Sequence, residues 1–214
     1  MKVVVLAVVF VSVISVSFTA DLQCTHKKVD VPEEWLSMVD PCVKKMQDQI
    51  QEEMRAAIQY MAMGAHFSRD VINRPGFAKF FFDAASEERQ HSIKLISYLL
   101  MRGNLTENVS TLLQKRIEPA TEVWDSGISA LRDALRLEAK VTNKIRDVIK
   151  VCEDPQLAEN NFNDYHLVDY LTGEFLEEQY KGQRELAGYI STLDKMVGEH
   201  GILGEFLFDK QLLG

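Results

Sequence analysis

The first long apolar pattern opens at Asp40-Pro41, a helix-capping residue followed by a first-turn proline. Val43, Met46, Ile50, Met54, Ala57 and Met61 then recur at steps of three and four, which predicts a helix from Pro41 to Ser68. Pro75 and Gly76 open a second stripe, Phe77, Phe81, Ala84, Leu95 and Leu99, which Gly103 and Asn104 stop. A third stripe, Trp124, Ile128, Leu131, Leu135, Ile145 and Ile149, runs from Ala120 to Cys152. The fourth follows the Asn-rich turn Asn160 to Asp164, carries Val168, Leu171, Phe175, Leu186, Ile190 and Leu193, and ends at Gly198. Ile202 to Leu213 make a short apolar fifth helix behind Gly201. Nothing alternates with period two, so no sheet is expected. A helix of about 28 residues is roughly 42 Å long, the length of a bundle rod. The expected fold is all-α: a four-helix bundle with a long crossover between helices two and three and a short fifth C-terminal helix.

Each long stripe is interrupted by a polar residue where the pattern calls for an apolar one. Glu53 stands between Ile50 and Ala57, Glu88 and His91 between Ala84 and Leu95, Glu138 three after Leu135, and Gln179 four after Phe175. Counted from the helix ends, all four rods carry their intrusion near mid-length, so the groups converge on one layer of the bundle. A lone inward carboxylate costs several kcal/mol unless paired or metal-bound, and three of them imply a shared cation. Glu88 and His91 form Glu-x-x-His, two ligands on one helical face, and a carboxylate-rich set with one imidazole suits iron or manganese better than zinc. One metal would take Glu53, Glu88 and His91. The other would share Glu88 with Glu138 and, with Gln179 nearby, be held more weakly. Tyr60, two turns beyond Glu53, is placed as a hydrogen-bond donor or redox neighbour to this set.

Composition narrows the function. Of 214 residues, 24 are Lys or Arg and 32 Asp or Glu, a net charge of −8 without a long basic run, so nucleic acid is excluded in favour of cations. Residues 1–20 read as a secretory signal: Lys2, an apolar run from Val3 to Phe18, then small residues to Ala20. No other stretch is long and apolar enough for a membrane span. Cleavage after Ala20 would leave residues 21–40 as an N-terminal extension and 41–214 as the domain, and the loss of Lys2 would move the charge from −8 to −9. Secretion puts Cys24, Cys42 and Cys152 in an oxidising compartment. Three cysteines allow at most one bridge within the chain; a partner chain takes the third thiol, or Cys152 is a buried free thiol at a helix end. Asn104-Leu-Thr and Asn108-Val-Ser are glycosylation acceptors in one outward loop.

At this point the residues resemble a known family. Gln49-Ile-Gln-Glu-Glu53, Phe77-Ala-Lys-Phe-Phe, Ser86-Glu-Glu88-Arg-Gln-His91, Leu137-Glu138, Phe175-Leu-Glu-Glu-Gln179 and Glu205-Phe-Leu-Phe-Asp-Lys210 occur in the order of the ferritins, specifically the iron-oxidising heavy type of subunit. The signal and early cysteines make the chain similar to the secreted insect ferritins. The resemblance implies a hollow cage of about two dozen bundles in which each active subunit oxidises Fe(II) with O2 and passes Fe(III) to a mineral. It implies Glu53, Glu88, His91, Glu138 and Gln179 as ligands and Tyr60 as the neighbouring tyrosine. It also exposes departures. In the threefold channel Asp169 fits the first acidic position but Thr172 occupies the second. At the mineral-facing positions Glu87 fits while Gln90 and Ile93 replace acidic neighbours, so a light-type companion subunit is expected to supply nucleation. The turn from Asn160 to Asp164 and residues 21–40 are where disulfides between subunits are expected.

Other candidates have simpler readings. His26 beside Cys24 belongs to an N-terminal tail; His66, His166 and His200 lie near helix ends, where solvated or capping roles are the default. Met46, Met54, Met61 and Met63 read as core filler rather than a copper site. Arg132, Asp133 and Arg136 read as a solvated face. Three rival functions are a structural light-type subunit, which should lack several of the six residues, a secreted helical cytokine, which has no reason to bury three acids at one depth, and a substrate-oxidising di-iron enzyme, against which the single Glu-x-x-His speaks.

Overall fold

The computed structural model describes residues 32–36, 38–103, 112, 116–153 and 163–214. Residues 1–20, which the sequence reads as a signal, Cys24, His26, the two Asn-x-Ser/Thr triplets expected to accept glycans and Asn160 lie outside the described residues. All regular structure among the described residues is helical.

The bundle is built from α1 (Asp40–Ser68), α2 (Pro75–Met101), α3 (Gly127–Glu153) and a fourth rod made of α4 (Tyr165–Tyr170), a π-helical turn (Leu171–Leu176) and α5 (Glu177–His200). The short α6 (Ile202–Leu213) closes one end. Packing runs α1 on α2 and α3, α3 on α5, and α6 against both α2 and α5. Pro occupies the first turn of α1 and α2, where its missing N–H leaves no bond unmade. Before α1, Glu33–Trp35 form a 3-10 turn, and Trp35 Nε1 donates to the Met101 carbonyl at 2.9 Å, so part of the N-terminal extension folds back on the end of α2.

Three expectations need correction. The third helix starts at Gly127, not Ala120, because Ser126 and Ser129 cap it: each backbone N–H reaches the other's hydroxyl at 3.3 Å. Trp124 therefore sits in the crossover, not in a helix, buried against His66 with its Nε1 donating to Asp133 Oδ2 at 2.8 Å. Gln59 of α1 clamps the same strand of chain, accepting from Ala120 N at 2.7 Å and donating to Thr121 O at 2.8 Å. His66 is buried rather than solvated, 4% exposed beneath that tryptophan. Met61 is 51% exposed and is no core residue, whereas Met46 and Met63 are buried.

Cys152 is not a free thiol. It is bonded to Cys42, with Cα atoms 5.0 Å apart, tying the start of α1 to the end of α3 across 110 residues.

Two apolar clusters fill the bundle. One gathers Cys42, Met46, Ile50, Leu95, Leu99, Val141, Ile145 and Phe175. The other gathers Tyr60, Phe67, Phe77, Phe81, Leu131, Leu186 and Phe208 near α6. Along every rod the residues between the two clusters include the polar intrusion. Among the described residues no helix is long and apolar enough to cross a membrane.

Candidate metal centre

Glu53 is fully buried, Glu88 is 3%, His91 5%, Gln179 5% and Glu138 8% exposed. One oxygen of Glu53, one of Glu88 and a nitrogen of His91 lie within 4.8 Å of one another. His91 Nδ1 is 3.7 Å from Glu88 Oε2 and 4.0 Å from Glu53 Oε2, beyond hydrogen-bond range. All three of these atoms are buried without a hydrogen-bond partner. Buried polar atoms are almost always paired, so three unpaired ligand atoms facing one point fit a divalent cation.

The rest of each ligand is held. Gln49, one turn before Glu53, donates from Nε2 to Glu53 Oε1 at 2.7 Å, which fixes one oxygen and turns the other inward. Tyr60 donates its hydroxyl to Glu138 Oε1. Thr142, one turn after Glu138, has its Oγ1 2.8 Å from Gln179 Oε1 and accepts from Gln183 at 2.6 Å. The same hydroxyl lies 2.8 Å from the Glu138 carbonyl oxygen, so Thr142 holds Gln179 beside Glu138. His91 Nε2 faces the half-exposed Glu178 at 3.3 Å, a partner that orients the ring and leaves Nδ1 for the centre.

The electrostatics are those of an acidic site waiting for charge. Burial pushes Glu88 up to about 8, with the Glu138 carboxylate adding to it. Glu53 is raised well above the usual carboxylate range by burial and by Glu88 beside it. Glu138 is raised by burial, against which the Tyr60 hydroxyl and the Gln179 amide pull it down. Tyr60 is raised by burial and by Glu138. Without a cation the cluster holds protons; a cation replaces them.

Gln49, Thr142 and Glu178 are supporting residues that the sequence reading passed over, although each lies one turn from, or next to, a ligand position. Asp169, Thr172, Glu87, Gln90 and Ile93 are all exposed on this chain, and the Glu87 carboxylate is near enough to Glu88 and Glu138 to help raise both.

A ferritin-like domain pattern matches residues 43–196. The chain belongs to the ferritin family. It is 58% identical over 207 residues to the ferritin heavy chain of Trichoplusia ni, covering 96% of each chain. It is 54% identical over 192 residues to the ferritin heavy chain of Drosophila melanogaster, covering 90% of this chain and 91% of that one. The crystal structure of Trichoplusia ni secreted ferritin matches with a TM-score of 0.83 and 60% identity, over 90% of this chain and 98% of that chain. Ferritin membership removes the helical-cytokine reading, and the long-crossover bundle with its short fifth helix is the ferritin fold.

Proposed function

We propose that this chain is an iron-oxidising subunit of an iron-storage ferritin. The observation that carries the reading is the convergence of unpartnered Glu53, Glu88 and His91 atoms inside a chain that resembles heavy-type ferritins along nearly its whole length. Fe(II) is the substrate. Glu53, Glu88 and His91 take the first ion, and Glu88, Glu138 and Gln179 the second, with Glu88 between the two. Binding displaces the protons that burial keeps on these acids.

Two ferrous ions supply the two electrons, and solvent the two protons, that take dioxygen to hydrogen peroxide, both ions becoming ferric. Oxygen ligands favour Fe(III) over Fe(II), so the donor set that gathers the ions also favours their oxidation. Tyr60 holds Glu138 in place by its hydrogen bond. The product leaves for a mineral inside a multi-subunit cage. A light-type companion subunit in that cage is supported by the two mineral-facing positions where Gln90 and Ile93 stand in place of acids.

Residues 1–20 are read as a cleaved secretory signal, 21–40 as an N-terminal extension and 41–214 as the ferritin-like domain, which directs the protein to the secretory pathway. The composition of the leader and a disulfide between Cys42 and Cys152 support that reading.

Purified protein should oxidise Fe(II) faster than the metal autoxidises, and Glu88→Lys with His91→Gly should abolish the excess while size-exclusion chromatography still shows assembled particles. An unchanged rate in that double variant refutes the assignment.

A further inference from the structure

The richest polar and aromatic cluster outside the metal centre lies near the end of α2. Tyr98 is 4% exposed and stacks on Tyr170 with ring centroids 4.8 Å apart. Tyr170 meets Phe175 edge-on at 5.7 Å, and Phe175 tilts against His91 at 5.5 Å. These rings form an unbroken file from the imidazole that faces the metal position to Tyr98.

The far end of the file is equipped for a proton. Arg102 Nη1 donates to the Tyr98 hydroxyl at 2.8 Å. A guanidinium has no acceptor, so the tyrosine's own proton is left for His166 Nδ1, 2.7 Å away. His166 is exposed on this chain and can pass a proton on to water. Arg102 also holds Asp164 at 2.9 Å, and Asp164 caps α4 through Leu167 N at 3.1 Å, which fixes His166 opposite the tyrosine. The Arg102 guanidinium lies 5.7 Å from the centre of the Tyr98 ring, and its charge opposes any positive charge left on that ring. Tyr98 can therefore lose an electron only together with its proton.

We propose that Tyr98 is an auxiliary electron donor to the iron-oxidising centre, coupled to it through Tyr170 and Phe175, with His166 taking the proton. The inference rests on the ferroxidase function proposed above. Phe175 serves as a bridge and not as a stopping place, since a benzyl ring is harder to oxidise than a phenol and the Lys94 ammonium sits 5.9 Å from its centre.

The need arises when the centre holds one ferrous ion and meets hydrogen peroxide, the product of the two-electron step. Cleavage of the O–O bond to two waters takes two electrons, and one Fe(II) supplies one. Tyr98 supplies the second, and its proton passes through His166 to solvent, returning one of the two protons that the cleavage consumes. Overall, one Fe(II), one hydrogen peroxide, one tyrosine and one proton from solvent give Fe(III), two waters and a neutral tyrosyl radical. Without such a donor the missing electron is taken from the ligands themselves.

The test uses the full-length protein loaded anaerobically with one Fe(II) per subunit, mixed with one equivalent of hydrogen peroxide and freeze-quenched for electron paramagnetic resonance. Tyr60→Phe, made together with Tyr170→Phe so that the file keeps its rings and Tyr98 alone keeps its phenol, removes the nearer tyrosines first and is the Tyr60→Phe background below. The Tyr60→Phe protein should show a tyrosyl radical that is lost on adding Tyr98→Phe, a change of one hydroxyl that keeps the ring. Adding Phe175→Leu to Tyr60→Phe should also diminish it, and adding His166→Gln should shift its g-value, a signature that a purely structural role would not move. Equal radical yield with and without Tyr98, or no radical in Tyr60→Phe, overturns the inference. Oxidation of Fe(II) by dioxygen is followed in the same preparations. If it is normal while the radical is absent, only this inference falls; if it is absent in the unmodified protein, the proposed function falls and this inference with it.

Discussion

Glu88 holds its proton up to about pH 8, and the origin is burial among other acids. A carboxyl with an ordinary value of 4.5 in the unfolded chain and a raised one in the fold adds stability that is fully present below 4.5 and lost as pH rises through 8. Metal-free protein should therefore lose thermal stability between pH 5 and pH 8, and saturating Zn(II), which is redox-inert, should restore it at the upper end. Glu88→Gln should flatten the slope. A metal-free melting temperature that rises over this window contradicts the account. The inward acids were legible in the sequence because a carboxylate breaks an apolar stripe visibly. Gln49 and Thr142 were not, because amides and hydroxyls are ordinary on helix faces and only the ligand one turn away gives them a role. His66 was misread for a different reason: its burial comes from Trp124, more than fifty residues later in the chain.

The elements are joined by carboxylates from α6. Asp209, fully buried, accepts from Gly76 N at 2.8 Å and Phe77 N at 3.1 Å, capping α2. Glu205, one turn earlier, accepts from Gly127 N at 3.0 Å and from Arg74 at 3.1 Å, capping α3. One short helix thus satisfies the first turns of two long ones, complementing the positive ends of their dipoles. Asp209→Ala should cost about 2 kcal/mol in denaturant unfolding, the loss of a cap together with unpaired buried N–H groups. No change in the unfolding midpoint would show that the contact is idle. Gly76 admits no side chain, since a Cβ there would lie 1.8 Å from the Asp209 carbonyl oxygen; Gly76→Ala should displace α6, seen as faster amide exchange along Ile202–Leu213. The bounds of α1, α2 and α6 could be read from proline, glycine and period alone. The start of α3 could not, because a Ser-x-x-Ser box is a weak signal beside an apolar Trp124 in phase with the stripe. The π turn was equally hidden: nothing in Leu171-Thr-Gly-Glu-Phe-Leu176 marks it, and it ends one turn before Gln179, where such turns tend to occur at functional sites.

Across the whole molecule a polar layer separates two apolar clusters, and the disulfide lies in the cluster away from α6. Three cysteines did not reveal which two would pair, because that depends on the start of α1 meeting the end of α3. A link closing 110 residues restricts the unfolded chain by about 4–5 kcal/mol in the chain-entropy picture. Cys42→Ser with Cys152→Ser should lower unfolding stability by a comparable amount while leaving the metal centre intact, checked by chemical denaturation alongside Fe(II) binding. Unchanged stability would place the bond outside the energetics of the fold. The central claim is that buried acids of three rods, Glu53, Glu88 and Glu138, together with His91 and with Gln179 from the fourth rod, bind two ferrous ions. Its most direct measurement is anomalous diffraction at the iron edge from crystals soaked anaerobically in Fe(II). The account predicts two peaks, one among Glu53, Glu88 and His91 and a weaker one among Glu88, Glu138 and Gln179. Iron found only at surface carboxylates, with nothing between the clusters, would contradict it.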